Sequence, residues 1–205
     1  MMAAHMAHWF GDSTSLYLFP FAAIFGGLAQ FLAGMWAYKA RDGVATAIHG
    51  MWGSFWMAYG VLNVIFAIGK LTPPAGRWPE IGFWFIVLAV ITWVSVAAAV
   101  AENRGFVTLL AFLAAGSTTA AIGELTGIEW LMTLTGWLFI VASIAAWYTG
   151  SALMLEEAFG REIWSLGKSR QAKEMRPVSV GMGEPSVSPR LVSPAPRANA
   201  GGRNA

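Results

Sequence analysis

Between residues 15 and 155 the chain passes through five long apolar stretches, broken only by short polar segments, and no charged side chain falls at the centre of any of them. A soluble domain of 205 residues carries charges throughout, whereas here 57% of residues are hydrophobic and only 12% charged. A hydrocarbon core about 30 Å thick is crossed by roughly 20 apolar residues rising about 1.5 Å each in a helix. Inside lipid every backbone polar group needs an internal partner, which a helix or a closed barrel supplies. These stretches are continuous and lack the alternating pattern of barrel strands. The expected fold is therefore all-α, a polytopic membrane helix bundle of about five transmembrane helices.

The composition also narrows the chemistry. With no cysteine there is no disulfide framework and no thiolate ligand. The spans hold no nucleophile elbow, no phosphate-cradling loop and no paired carboxylates, so the chain is not expected to be an enzyme. His5 and His8 are too isolated for a metal site, and neither cofactor nor nucleic acid is expected. The segment 1–10 lacks a basic signal-peptide start, which leaves targeting to the first span.

Three regions follow: an N-terminal loop at 1–14, a helix bundle at 15–167, and a tail at 168–205. The spans are predicted at 15–38, 43–70, 79–101, 106–122 and 129–155. Asp12 and Ser13 are capping candidates for the first, with Pro20 inside its first turns or opening it. Pro73 and Pro74 end the second, and Glu102 to Gly105 form the polar break before the fourth. A short interfacial helix is predicted over 156–167, with Phe159, Ile163, Trp164 and Leu166 for the headgroup boundary. The tail, rich in Pro, Ser, Gly, Arg and Ala, is expected to be disordered.

Lys39, Arg41 and Arg104 fall in alternate loops on one side, and five crossings bring the basic C-terminal region there too. Only Lys70 and Arg77 lie opposite. The C-terminus is therefore predicted cytoplasmic, in a plasma membrane or a bacterial inner membrane. Trp9, Trp36, Trp78, Trp130 and Trp164 sit near span ends, as interfacial belts do, while Trp52, Trp56, Trp93 and Trp137 lie deeper and either line a path or fill a core.

Small residues recur at four-residue spacing: Ala29, Ala33, Ala37; Gly50, Ser54, Ala58; Ala142, Ala146, Gly150. That spacing predicts close helix packing and suits self-association. Gln30, His49, Ser54, Asn63, Ser95, Ser117, Thr118, Thr119 and Thr135 are neutral polar residues within spans. Each hydrogen-bonds either a small solute or a neighbouring helix carbonyl. His49 is the one group inside a span that titrates near neutral pH, so it is the candidate proton-sensitive residue.

Phe25-Gly26-Gly27-Leu28-Ala29-Gln30, then Ala33-Gly34 and Tyr38-Lys39, resemble the second helix and following loop of the acetate uptake transporter family, the succinate and acetate permeases. Gly53-Ser54-Phe55-Trp56 is similar to that family's next helix. Gly136-Trp137, Tyr148, Glu157 and Phe159-Gly160-Arg161 through Gly167 are similar to its last helix and exit. The resemblance implies a six-helix protomer, both ends cytoplasmic, that moves acetate and related short carboxylates with protons and assembles as a homo-hexamer in the lipid bilayer. It also implies a constriction in which Trp52 stands at the family's Tyr and Leu113 at its Leu; Gln30, Ser54, Trp56 and Asn63 are the further candidates for the path beside it. Gly26, Gly27, Gly34, Gly53, Phe159, Gly160 and Arg161 are its motif and packing positions.

Three departures bear on that expectation. The chain opens at the loop after the family's first helix, so the Asn-Pro-Ala-Pro signature and the constriction Phe are missing; a misassigned start codon and a five-helix relative both explain this. Ala37 replaces a Glu common in the family, and Trp52 lacks the phenolic hydroxyl of the Tyr. Alternative functions are transport of another small solute, such as ammonium or a different weak acid, and a non-transporting membrane scaffold whose Ser188-Pro189 and Ser193-Pro194 tail recruits a partner.

Overall fold

The structure is a computed structural model that describes residues 2–9, 17–72, 74 and 77–169. Its elements are α1 (Met2–Met6), α2 (Phe19–Lys39), α3 (Gly43–Ala67), α4 (Pro79–Ala99), α5 (Arg104–Thr126) and α6 (Glu129–Phe159). The fold is all-helical, as the apolar runs require. Asp12, Ser13 and 170–205 lie outside the described residues, including both Ser-Pro pairs of the tail.

Local chemistry fixes the helix ends. Pro20 sits in the opening turn of α2, and Pro79 opens α4, both where a missing N–H costs nothing. Asp42 caps α3 by accepting from the Ala45 N–H at 2.9 Å, and Asn103 caps α5 by accepting from Phe106 at the same distance. Gly160 stops α6 in the left-handed region at φ 65°, which explains the Phe159-Gly160-Arg161 motif as a helix terminator.

Four helices, α2, α4, α5 and α6, are long and apolar enough to cross a membrane. The fifth, α3, has 25 residues and so reaches about 37 Å at about 1.5 Å per residue. Its one asparagine, Asn63, is buried and bonded to its own helix. The chain is a multi-pass membrane protein.

Each long helix packs on its neighbour in sequence: α2 on α3, α4 on α5 and α5 on α6, with α3 and α4 touching only lightly. The α2–α3 seam is glycine-built. A Cβ on Gly27 would lie 2.8 Å from the Met57 nitrogen, one on Gly34 2.9 Å from that of Gly50, and one on Gly53 2.6 Å from that of Phe31. A Cβ on Gly60 would meet that of Ala23 at 2.4 Å. Residues seven apart share a helix face, since two turns take about 7.2 residues. The contact row is thus Gly27 and Gly34 against Gly53 and Gly60. This replaces the four-residue stripes of α2 and α3: Ser54, Ala58 and Ala29 are exposed, and a Cβ on Gly50 would meet nothing within 4 Å, while Ala142, Ala146 and Gly150 of α6 face a cavity. Within α2, residues Ala22–Ala29 form a π-helical stretch, a rare geometry that recurs at functional sites.

Two other expectations change. Residues 2–6 form α1 where a loop was expected, because Gly136 of α6 leaves room for its backbone: a Cβ there would fall 2.4 Å from the Ala7 nitrogen. Helix α6 runs on to Phe159, but no helix follows it among the described residues; 161–169 form an extended strap. The strap crosses the start of α5, where Gly167 and Leu166 carbonyls accept from the Arg104 and Gly105 N–H groups at 3.3 and 3.2 Å, and Ser169 donates to the Glu102 carbonyl at 2.8 Å. Helix-starting N–H groups need acceptors, and the strap provides them. Trp164 stacks on Tyr148 with centroids 5.4 Å apart, Tyr148 Oη donates to the Ser165 carbonyl at 3.0 Å, and Lys168 pairs with Glu156.

Candidate transport pathway

A cavity of about 920 Å³ runs along the bundle, walled by α2, α3, α5 and α6. It reaches from Leu18 and Phe19 at one end to Asp42 and Glu102 at the other, where the α2–α3 turn, the α4–α5 turn and the strap lie together. Because α2 and α6 do not pack on each other, the interior keeps this long gap. Its walls are largely apolar.

Between these ends, aromatic rings line it. Trp52 of α3, 3% exposed, meets Phe139 of α6 edge-on at 6.2 Å and Trp56 one turn along at 6.5 Å. Leu113 of α5 and Gly26 of α2 complete this part of the wall. Gly26 matters by being small: a Cβ there would contact the Trp56 ring at 3.4 Å. Gln30 and His49 line the same cavity.

Sequence reasoning thus assembled Gln30, His49, Trp52, Trp56 and Leu113 around one space. Two of its pathway residues lie elsewhere. Ser54 is exposed and donates to the Gly50 carbonyl at 2.7 Å, because two residues from Trp52 is about 200° around the helix. Asn63 shares the Trp52 side but sits about 16 Å farther along, its amide donating to the Tyr59 carbonyl at 2.8 Å. Neither belongs to the cavity wall. Ser95, Ser117 and Thr118 donate to carbonyls of their own helices, and Thr119 and Thr135 share a 2.7 Å hydroxyl pair between α5 and α6, the packing alternative in each case. Gly27, Gly34 and Gly53 serve the α2–α3 seam, and Phe159, Gly160 and Arg161 the exposed end of α6.

Four wall residues were not foreseen as pathway groups. Phe139 has the signal of any apolar residue in a span. Thr149 is 1% exposed, and its hydroxyl is buried with no hydrogen-bond partner among the described residues. Asp42 follows the first span and Glu102 opens the polar break before the fourth; the fold brings them to one mouth. Burial, then the negative charge of Asp42, raises the pKa of Glu102, so that carboxyl holds its proton to higher pH than an exposed one. His49 Nδ1, nearby on α3, is buried without a partner among the described residues.

The arrangement is an apolar cavity with aromatic rings in its wall and two carboxyl side chains at one end. The profile of the GPR1/FUN34/yaaH family matches residues 1–159. The chain is 24% identical over 147 residues to the succinate-acetate/proton symporter SatP of Escherichia coli K12, covering 71% of this chain and 76% of that one. It is 26% identical over 137 residues to ammonia transport outward protein 3 of Saccharomyces cerevisiae, covering 66% of this chain and 49% of the yeast protein. The solved structure of the bacterial acetate channel SatP superposes with a TM-score of 0.72 at 22% identity, over 81% of this chain and 90% of that one, and shows the same fold. By sequence profile and by fold, the chain belongs to the GPR1/FUN34/yaaH family.

Proposed function

We propose that the chain carries acetate and related short carboxylates across a plasma membrane, through the cavity and past a waist formed by Trp52, Trp56, Leu113 and Phe139. The observation that carries this reading is a long, largely apolar cavity whose wall includes Trp52 and Leu113, the two positions that the sequence resemblance assigns to the family's constriction. The named substrates of the bacterial relatives supply the solute class.

Physics favours a proton travelling with it. Taking an isolated carboxylate into an apolar medium costs on the order of tens of kcal/mol, whereas a neutral acid costs only a few. Glu102, a mouth carboxyl whose pKa is raised by burial and by the charge of Asp42, and Asp42 beside it are placed to exchange protons with an arriving carboxylate, with His49 deeper in the same wall. By charge distribution the mouth faces the cytoplasm, as does the C-terminus. By resemblance the assembly is a homo-hexamer with one path per protomer.

The test is labelled acetate uptake, with and without an uncoupler, in cells lacking their own carriers, for the wild type and Trp52→Ala at matched membrane levels. Uptake that changes in rate or selectivity with Trp52→Ala is expected; identical transport would sink the waist assignment. An acidic mouth also suits a cation, and the yeast relative is named for ammonia, so ammonium is the second reading. Competition by unlabelled acetate but not by ammonium decides for the first.

A further inference from the structure

The Trp52 indole has one polar atom, and the structure turns it away from the path. Its Nε1–H donates to Thr92 Oγ1 on α4 at 3.2 Å, and Thr92 in turn donates to the Leu88 carbonyl at 2.6 Å. Thr92 is 0% exposed. A hydroxyl has one hydrogen, so committing it to Leu88 leaves only lone pairs for the indole. The relay therefore has a single direction.

Helix α4 borders the cavity only at its last residue, Ala99, so Thr92 stands behind the wall and meets no solute. Among the described residues this is the one side-chain hydrogen bond between α3 and α4, helices that otherwise touch lightly. Phe55, Trp56 and Phe139 contact the ring by edges and faces, which limits its position without choosing where the N–H points.

We propose that Thr92 is a positioning residue for transport: it holds the indole so that the solute meets a carbon-only ring at the waist and no donor that would retain a carboxylate. The proposal rests on the reading of Trp52 as part of the waist. Hydrogen bonds to charged acceptors are about twice as strong as neutral ones, so an indole N–H released toward the path would hold the passing anion. Tighter holding lowers KM and slows exit.

The experiment is acetate uptake kinetics of Thr92→Val, Thr92→Ser, Trp52→Phe and the double variant Thr92→Val with Trp52→Phe. Thr92→Val keeps shape and removes the acceptor; its KM for acetate is expected to fall roughly fivefold, with a matching fall in maximal rate. Thr92→Ser should restore both. In the Trp52→Phe background, which has no indole N–H, Thr92→Val should have no further effect. Wild-type kinetics in Thr92→Val, or an equal Thr92→Val effect with and without the indole, would overturn the positioning role. Should Thr92→Val not reach the membrane, Thr92→Cys, a weaker acceptor, carries the same test. Unchanged kinetics in Trp52→Phe and Trp52→Ala alike would instead remove the waist reading itself.

Discussion

Two glycines three residues apart on α3 should respond to alanine in opposite ways. A Cβ on Gly53 would stand 2.6 Å from the Phe31 nitrogen, 2.9 Å from its Cα and 3.0 Å from the Gly27 carbonyl oxygen, all backbone atoms that no rotamer change relieves. Helix α2 must move off α3, and overpacking of this kind costs about 1–3 kcal/mol. A Cβ on Gly50 would meet nothing within 4 Å, so Gly50→Ala only removes the flexibility of glycine in a helix, a gain of about 0.5–1 kcal/mol. The two variants should differ by roughly 1.5–4 kcal/mol, and at about 2–4 °C per kcal/mol for a chain of this size their Tm values should lie roughly 3–16 °C apart. The assay is thermal aggregation of the detergent-solubilised protein, followed by size exclusion. Gly50→Ala as damaging as Gly53→Ala would refute the glycine row and reinstate the four-residue stripe.

Glu102 gives a pH prediction. Its folded pKa is raised, so the folded state binds that proton more tightly than the unfolded chain; the resulting stability is full below the ordinary carboxylate pKa and is lost as pH rises through the raised value. Glu102→Gln should flatten Tm against pH across that window, and a profile parallel to wild type would show that Glu102 is not the group responsible. At the strap, Tyr148→Phe removes the 3.0 Å bond to the Ser165 carbonyl but keeps the ring on Trp164, whereas Tyr148→Ala loses both. Limited proteolysis within 161–169 should speed up modestly in the first and strongly in the second, each lost contact being worth about 0.5–1.5 kcal/mol; equal rates in all three would mean that the stack does not hold the strap.

Much of the fold was legible because lipid is a demanding solvent: uncharged apolar runs of spanning length leave the helix as the economical solution. The faces were harder to read. Gly50, Ser54 and Ala58 satisfy the small-residue spacing as well as Gly53 and Gly60 do, and only the partner helix selects the second row. Along α3 the apolar residues occupy every side, so the sequence carries no periodic mark of the cavity, and Ser54 was assigned to a wall it does not reach. Trp52 and Leu113 were found through resemblance; Thr92, behind them, had no local signal at all. The mouth carboxyls Asp42 and Glu102 stand 60 positions apart and read as solvated loop residues until the antiparallel helices bring their turns together. The strap's Leu166 is buried only because the start of α5 offers it N–H partners and a seat, a nonlocal fact that the polar, Pro-rich composition beyond it conceals.

The most direct test of carboxylate passage through this cavity is labelled acetate entry into proteoliposomes of the purified chain, at a pH well above the pKa of acetic acid so that leak of the neutral acid through lipid is small. Entry faster than into protein-free vesicles, and altered by Trp52→Ala at equal reconstitution, is the predicted result. Rates equal to those of protein-free vesicles would contradict it.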